Sequence, residues 1–326
     1  MSVSRRSFLE VTALGSLAAY CPAPATGATA SLPTRVLGRT GVRVSILAMG
    51  GGSRYLQYKD EDRAIEAVQK ALELGITYID TSDDYGNNHL SERRIGKALK
   101  GRREPVFLAT KLTHRDGAET ARIVEQSLSA LQRDHVDLIH IHSLTTEDDL
   151  ARIEAKGGVL EQLQKLRDQK ITRFIGITSH TDPSVLKMAL ERHDFDCTQM
   201  ALNAALVGMK SGKNGMVPNE AMKTSFETAA LPVANRKQMG VIAMKVFAQD
   251  ALIGQATPEK LLHYSLSLPV TTAVTGMPKF EHIVENVQFA KRFRPLPKSE
   301  MRQLSRTLSG TNKADLDLFF SAHVDA

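Results

Sequence analysis

Short apolar runs rich in β-branched residues alternate with amphipathic stretches from about residue 45 to residue 290. The runs at 44–49, 76–80, 106–110, 136–141, 174–178, 197–201, 241–244 and 271–274 have the length and composition of strands. Between them lie helical patterns. Residues 60–74 carry Ile65, Val68 and Leu72 on one face and stop at Gly75, and residues 118–131 carry Val124, Leu128 and Leu131. Residues 90–99, 159–169, 184–192, 228–238, 259–266 and 282–289 complete the set. Asp or Ser ahead of several starts supplies N-caps, and Gly after several ends supplies C-caps.

Eight strand–helix units in series predict an α/β chain of parallel strands with helical crossovers. Eight is the number that closes a (β/α)8 barrel of the TIM type in about this length. An open doubly wound sheet would be expected to carry G-x-G-x-x-G after its first strand, and Gly50-Gly51-Gly52 is not that motif. Two segments break the rhythm. Arg35-Val36-Leu37 and Val42-Arg43-Val44, on either side of Gly38–Gly41, predict an N-terminal β-hairpin at the barrel floor. Residues 203–225 form a connection rich in Gly, Lys, Asn and Met that is too long for a routine loop, either a lid or a mobile insertion.

The first thirty residues have a different character. Ser4-Arg5-Arg6-Ser7-Phe8-Leu9 leads into an apolar run at 11–20, then a Pro/Ala/Gly-rich stretch ending Ala28-Thr29-Ala30. Cationic head, short apolar centre and small-residue cleavage site are the parts of a secretory signal. The paired arginines resemble the bacterial twin-arginine export signal. The expectation is a signal peptide at 1–30, the export machinery as a partner, and a folded protein delivered to the periplasm at 31–326. Cys21 follows the bulky Tyr20, which speaks against lipidation. Cleavage after Ala30 would leave Cys197 as the single cysteine, with no intramolecular disulfide.

Composition narrows the function. With 42% hydrophobic and 24% charged residues, the 326-residue chain is neither disordered nor disulfide-stapled. No run approaches the roughly 18 apolar residues of a membrane span, so no stable membrane insertion of the mature chain is expected. The net charge of +6 is spread along the chain, without a basic stripe and without tryptophan, so nucleic acid is not an expected partner.

In a barrel the chemistry sits where strands end. The second strand ends at Asp80, followed by Thr81-Ser82-Asp83-Asp84-Tyr85-Gly86; the third ends at Thr110-Lys111; the fourth runs Leu138-Ile139-His140-Ile141-His142. A carboxylate, a phenol, an ammonium and an imidazole thus arise at consecutive strand ends. This set suits proton delivery to a carbonyl. A free tyrosine titrates near 10, a nearby ammonium lowers that value, and a carboxylate holds the ammonium in place. The imidazole orients the carbonyl or shares the proton. No side chain supplies hydride, so a nicotinamide is the natural donor.

Gly75-Ile76-Thr77-Tyr78-Ile79-Asp80-Thr81-Ser82-Asp83-Asp84-Tyr85-Gly86, followed by Ser91-Glu92, resembles the G-x-x-x-x-D-T-A-x-x-Y-G…S-E signature of the aldo-keto reductase family. Leu108-Ala109-Thr110-Lys111, residues 136–143, Gly176-Ile177-Thr178-Ser179-His180, Gln199 with Asn203, and residues 240–245 follow in the family's order, so the likeness runs from about residue 37 to 286. The resemblance implies Tyr85 as general acid in reduction and base in oxidation, Lys111 tuning it, Asp80 pairing Lys111, and His142 positioning a small carbonyl substrate. It implies Ser179 and Gln199 at the carboxamide of NAD(P)H, and Met244 where an aromatic often stacks on the nicotinamide. Lys245, Val246 and Phe247 would line the pyrophosphate, and Gly51 and Gly52 the same groove. At the 2′-phosphate end this chain offers Gly276, Met277 and His282 with Lys279 as the fixed cation, while Glu285 and Asn286 keep the adenine contacts. One lysine tilts the expectation to NADPH and leaves NADH open. No metal is expected, although His140-x-His142 raises the rival of a metal-dependent hydrolase. The second rival is a nucleotide-binding sensing module with little turnover. Substrate specificity would lie in 203–225 and in the tail after Pro297, which holds Leu316, Leu318, Phe319 and Phe320. Oligomeric state is not fixed by the sequence.

Overall fold

The computed structural model describes residues 31–102, 104–213 and 215–309. The segment read as an export signal, and Leu316, Leu318, Phe319 and Phe320, lie outside the described residues. The chain opens with the expected hairpin: β1 (Thr34–Val36) pairs antiparallel with β2 (Arg43–Ser45). Next come β3 (Leu47–Gly50), β4 (Tyr78–Asp80), β5 (Phe107–Leu112), β6 (Val136–Ile141), β7 (Thr172–Ser179) and β8 (Cys197–Ala201). A second hairpin, β9 (Gly208–Gly212) with β10 (Gly215–Asn219), stands apart from them. Finally β11 (Gly240–Met244) pairs with β8, β12 (Thr272–Thr275) pairs with β11, and β12 returns to β3. The result is a closed barrel of eight parallel strands, at the eight positions the apolar runs marked.

Crossovers are made by α1 (Glu61–Glu73), α2 (Leu90–Ala98), α3 (Gly117–Leu131), α4 (Glu147–Glu154), α5 (Val159–Asp168), α6 (Pro183–Arg192), α7 (Phe226–Ala229), α8 (Leu231–Arg236), α9 (Pro258–Ser267) and α10 (Phe280–Lys291), with α11 (Lys298–Leu308) following. Asp60 and Asp116 accept backbone N–H bonds from Arg63 and Glu119, and so cap α1 and α3. The single helix expected over 228–238 is two, α7 and α8, because Pro232 has no N–H to continue the ladder from the preceding turn. Among the described residues no helix is long and apolar enough to cross a membrane.

Alternation along each strand sorts the barrel interior into layers. Tyr78 and Phe107 stack with ring centroids 5.0 Å apart, Phe107 and Phe174 at 6.2 Å, and these rings fill the lower interior with Leu138, Cys197 and Ile242. Two residues after Tyr78 on the same face comes Asp80, and four after Phe107 and Leu138 come Lys111 and His142. An apolar floor therefore carries a polar roof. The hairpin closes the floor: Leu37 is fully buried in that lower cluster, worth about 1.5–3 kcal/mol for a side chain of its kind. Arg35 donates to Val270 O and Leu266 O, and Arg39 N to Gln238 O. Gly38 (φ +50°) approaches so closely that a Cβ would lie 2.3 Å from Gly240 N.

Residues 203–225 are anchored rather than loose at their start. Asn203 donates from Nδ2 to Val207 O (2.8 Å) and accepts from Val207 N, and Met209 N donates to His180 O. Residues 203–209 are buried, whereas the β9–β10 hairpin from Lys210 onward and the segment after it, at Glu220, Ala221 and Lys223, are largely exposed.

Candidate active site

The polar roof gathers three of the expected residues at bonding distance. Lys111 Nζ donates to Asp80 Oδ2 (2.5 Å), to Thr81 O (2.8 Å) and to Tyr85 Oη (3.3 Å). Asp80 and Lys111 are wholly buried, at 2% and 1% exposure. Tyr85 reaches the lysine because its loop is pinned at both ends. Asp83 N donates to Lys111 O, and Ser91 N to Tyr85 O. Thr81 Oγ1 donates to Ser91 Oγ, which in turn donates to Gly51 O. Glu92 in α2 accepts from Thr110 Oγ1 (2.6 Å) and sits 2.5 Å from His89 Nδ1, fastening α2 to β5.

Burial pushes the Tyr85 phenol above its ordinary value, and the Lys111 ammonium opposes that push. The lowering expected of the lysine is present, but desolvation of the ring outweighs it and the net direction is upward. Burial likewise works against the Lys111 charge, but Asp80 and Tyr85 overcome it and raise the lysine.

His142 follows β6 with its ring at right angles to Tyr85, centroids 5.7 Å apart. Its Nδ1 lies 3.2 Å from Ser82 Oγ and 3.4 Å from Asp84 Oδ1. Burial pulls the imidazole below its ordinary value, with Asp84 acting against that. Burial also disfavours the Asp84 carboxylate, yet His142 and Ser82 outweigh it and bring the group down to about 2. Neighbouring Asp83 goes the other way, up to about 6, through burial and the charges of Asp84 and Glu92. Behind His142, Arg115 holds its backbone oxygen (2.7 Å) and grips Asp149 with two bonds of 2.8 and 3.0 Å. A cavity of about 460 Å³ opens here, lined by His142, Ser143, Thr113, Arg115, Thr145 and Thr146 among others.

His140 is sealed inside the barrel, its ring against Gly176, and burial drives it well below its ordinary value. Among the described residues no group of three His, Cys, Asp or Glu side chains could hold a metal ion.

The residues expected along a nucleotide groove occupy the ends of β3, β7, β8, β11 and β12. Ser179 donates to Leu144 O (2.7 Å), and Gln199 Nε2 approaches Asp80 Oδ2 at 3.4 Å while its buried Oε1 has no partner. Met244 ends β11, and Lys245 follows at φ +58°, with Val246 buried and Phe247 half-buried. Burial, with the charges of Lys111 and Arg54, lowers Lys245 to about 8. Gly51 is a packing position, since a Cβ would lie 2.6 Å from Ser91 Oγ; at Gly52 it would press on the Tyr85 ring at 3.3 Å. Gly276 abuts Arg54, and Lys279 is exposed directly before α10, whose free N–H groups suit an anion. Glu285 is exposed and Asn286 buried on α10, whereas the Met277 side chain is wholly inside the core.

Several site residues carried no sequence signal. Arg54 bonds Gln249 O (3.0 Å) and pairs with Asp250 (2.8 Å), tying the loop after β3 to a run of left-handed residues, Ala248 to Asp250. His180, expected only as part of a motif, lies 3.2 Å from Ser143 Oγ and falls to about 3 through burial and the charge of Lys245. Arg115 completes this group, and Ser82 and Asp84, which the motif contained without a role, join the site. The arrangement fits an anionic dinucleotide: Arg54, Lys245 and Lys279 would line its course, Gly52 leaves the face of Tyr85 open, and Gln199 Oε1 lacks a donor.

The family model described as the Aldo/keto reductase family matches residues 47–263. The L-galactose dehydrogenase of Arabidopsis thaliana is 32% identical over 237 residues, 69% of this chain and 68% of its own length. An uncharacterized oxidoreductase of Bacillus subtilis, YqkF, is 26% identical over 312 residues, 83% of this chain and 94% of its own. Among solved structures, the holo form of aldo-keto reductase AKR11C1 from Bacillus halodurans superposes with a TM-score of 0.68 at 26% identity, covering 85% of this chain and 96% of that one. An aldo-keto reductase from Klebsiella pneumoniae in complex with NADPH shares the fold, with a TM-score of 0.67 at 20% identity over 85% of this chain and 96% of that one.

Proposed function

This chain belongs to the aldo/keto reductase family, and from that footing we propose that it is an NAD(P)H-dependent oxidoreductase interconverting a small carbonyl compound and its alcohol. The observation that carries the reading is Lys111 Nζ bonded at once to Asp80 Oδ2 and Tyr85 Oη, beside the ring of His142. When bound, the nicotinamide supplies the hydride that no side chain can. Tyr85 delivers the proton to the nascent alkoxide in reduction and takes it back in oxidation. Lys111 keeps the phenol from rising further, Asp80 holds Lys111 in register, and His142 fixes the reacting oxygen.

The substrate end is polar. Threonines, a serine, Arg115, Arg152, Asp148 and Asp149 line the cavity next to His142, and this polar surround favours a small hydroxylated carbonyl compound. The name of the Arabidopsis relative points to the same class. Lys245 and Arg54 supply charge for the pyrophosphate that NADH and NADPH share, and Lys279, the one fixed cation at the 2′-phosphate end, tilts the reading to NADPH.

The test is oxidation of NADPH and of NADH by the protein from residue 31 onward, with an activated nitrobenzaldehyde and with a simple aldose. Tyr85→Phe is expected to lose about 10²–10⁴-fold in turnover. Nucleotide binding without turnover on any carbonyl would replace this reading by the sensing module.

The amino-terminal segment adds a second part to the proposal: export through the twin-arginine route in folded form, with the nucleotide already bound. Free nicotinamide nucleotide is not expected outside the inner membrane, so a cofactor carried along supplies the first hydride. Native mass spectrometry of the periplasmic protein tests this, and only nucleotide-free protein there would sink it.

A further inference from the structure

Ser82 Oγ sits among four polar atoms: Asp84 Oδ1 at 2.6 Å, His142 Nδ1 at 3.2 Å, Asp83 Oδ1 at 3.2 Å and Lys111 O at 3.3 Å. A hydroxyl has one hydrogen to give, while ionised carboxylates and carbonyls only accept. That hydrogen goes to an oxygen, and the 2.6 Å contact assigns it to Asp84. What remains towards His142 is oxygen lone pairs, from Ser82 Oγ at 3.2 Å and Asp84 Oδ1 at 3.4 Å. A bare Nδ1 there would face the lone pairs of both oxygens with no hydrogen between it and either one, beside a wholly buried Ser82. A protonated Nδ1 satisfies both oxygens.

From this hydrogen count, and resting on the reductase reading above, we infer that Ser82 and Asp84 are positioning residues that keep the His142 proton on Nδ1, so that Nε2 offers a lone pair to the reacting oxygen and the site is built to receive a hydroxyl, that of the alcohol or of a hydrated aldehyde. Among the described residues Nε2 has no hydrogen-bond partner, and His142 lines the cavity. Ser82 stands where the family signature carries alanine, and Asp84 immediately precedes Tyr85. A carbonyl oxygen brings no hydrogen to that lone pair; it is held by His142 only once Nε2 is protonated too.

The groups facing His142 set when that happens. Burial and Lys111 disfavour the imidazolium, Asp84 and Asp80 favour it, and the net direction is below 6.5. Tyr85 adjoins the ring edge, and His140 and His180 are themselves displaced to low values and bring no charge at neutral pH. As pH rises through the His142 titration, the KM for the carbonyl therefore increases and the KM for the alcohol falls.

Long-range proton–nitrogen spectra of the full protein, with labelled histidine and His142 assigned by difference from His142→Gln, read the tautomer without turnover. The expected signature at pH 7.5 is a protonated Nδ1 and a bare Nε2; a protonated Nε2 with bare Nδ1 overturns the inference. Ser82→Ala is expected to shift population towards the Nε2–H form and to lower the ratio of carbonyl KM to alcohol KM by roughly 2- to 10-fold. Asp84→Asn, on a side chain 44% exposed, repeats the test where folding is not at stake, and an unchanged ratio and pH profile in both variants overturns the positioning role. Should no carbonyl or alcohol turn over, the reductase reading falls while the tautomer spectrum still decides this one.

Discussion

Lys111 Nζ lies 2.5 Å from Asp80 Oδ2, with the two side chains 1% and 3% exposed, so the site's central cation and its counter-ion form a pair sealed from water. Removing one partner of such a pair strands a charge, whereas removing both leaves neutral groups. Asp80→Asn is expected to lower unfolding stability by about 3–5 kcal/mol. Asp80→Asn combined with Lys111→Met should recover much of that loss while remaining inactive. Urea melts of the three proteins measure it, and a double variant less stable than the single would contradict the pairing.

Tyr85 titrates above its ordinary value of 10.0 because of burial, with Lys111 holding it back. The protonated phenol that reduction needs is therefore present throughout neutral pH, and reduction should show no alkaline limb from Tyr85 below about pH 10. Oxidation needs the phenol to accept a proton, so its rate should still be climbing at pH 9. Lys111→Met should push the phenol higher and move that climb to still higher pH. Initial-rate profiles in both directions read this, and an oxidation rate flat from pH 7 to 9 would count against Tyr85 as the base.

Gly51 and Gly52 are adjacent but differ in what a methyl group would meet. At Gly51 it would lie 2.6 Å from Ser91 Oγ and 3.1 Å from Asp80 O, both held in the bonded lattice under the site. At Gly52 it would touch the Tyr85 ring at 3.3 Å. Gly51→Ala should cost roughly 1–3 kcal/mol of stability through overpacking. Gly52→Ala should leave stability within about 0.5 kcal/mol and act instead on nucleotide affinity and turnover. Thermal melts beside nucleotide titrations separate the two, and a reversed pattern would show that Gly52 does not border the cofactor groove.

The barrel was legible because its strands are apolar runs that no surface helix would carry, and Asp80, Lys111 and His142 stood out as polar groups at the ends of such runs. α4 escaped notice because it is mostly charged, with only Leu150 and Ile153 buried. The β9–β10 hairpin is hidden by its Gly, Lys and Asn content, and its anchoring comes from Asn203 and His180, contacts that no local pattern announces. Arg54 and Arg115 look like solvated loop cations until the fold brings Asp250 and Asp149 to them. The pull of Lys111 on Tyr85 is visible in the motif, whereas the desolvation that outweighs it depends on the packed barrel.

Far from the strand ends, burial raises Glu227 from 4.5 to about 8; Tyr264 Oη donates to its Oε2 (3.1 Å) and Oε1 has no partner. The native value exceeds the unfolded one, so the folded state holds this proton more firmly. The stability contribution is then complete below about pH 4.5, declines as pH rises, and levels off above about 8, with a ceiling of roughly 5 kcal/mol. Asp83, raised to about 6, adds a smaller decline of the same sign between about 3.8 and 6. Glu227→Gln keeps an acceptor for Tyr264 and removes the titration, so wild type and variant should be similar near pH 4.5 and diverge towards pH 8, with the variant the more stable. Because Asp83 is common to both proteins, the difference between their denaturation curves across that range isolates Glu227. A difference independent of pH would mean that the carboxyl is already ionised in the folded protein.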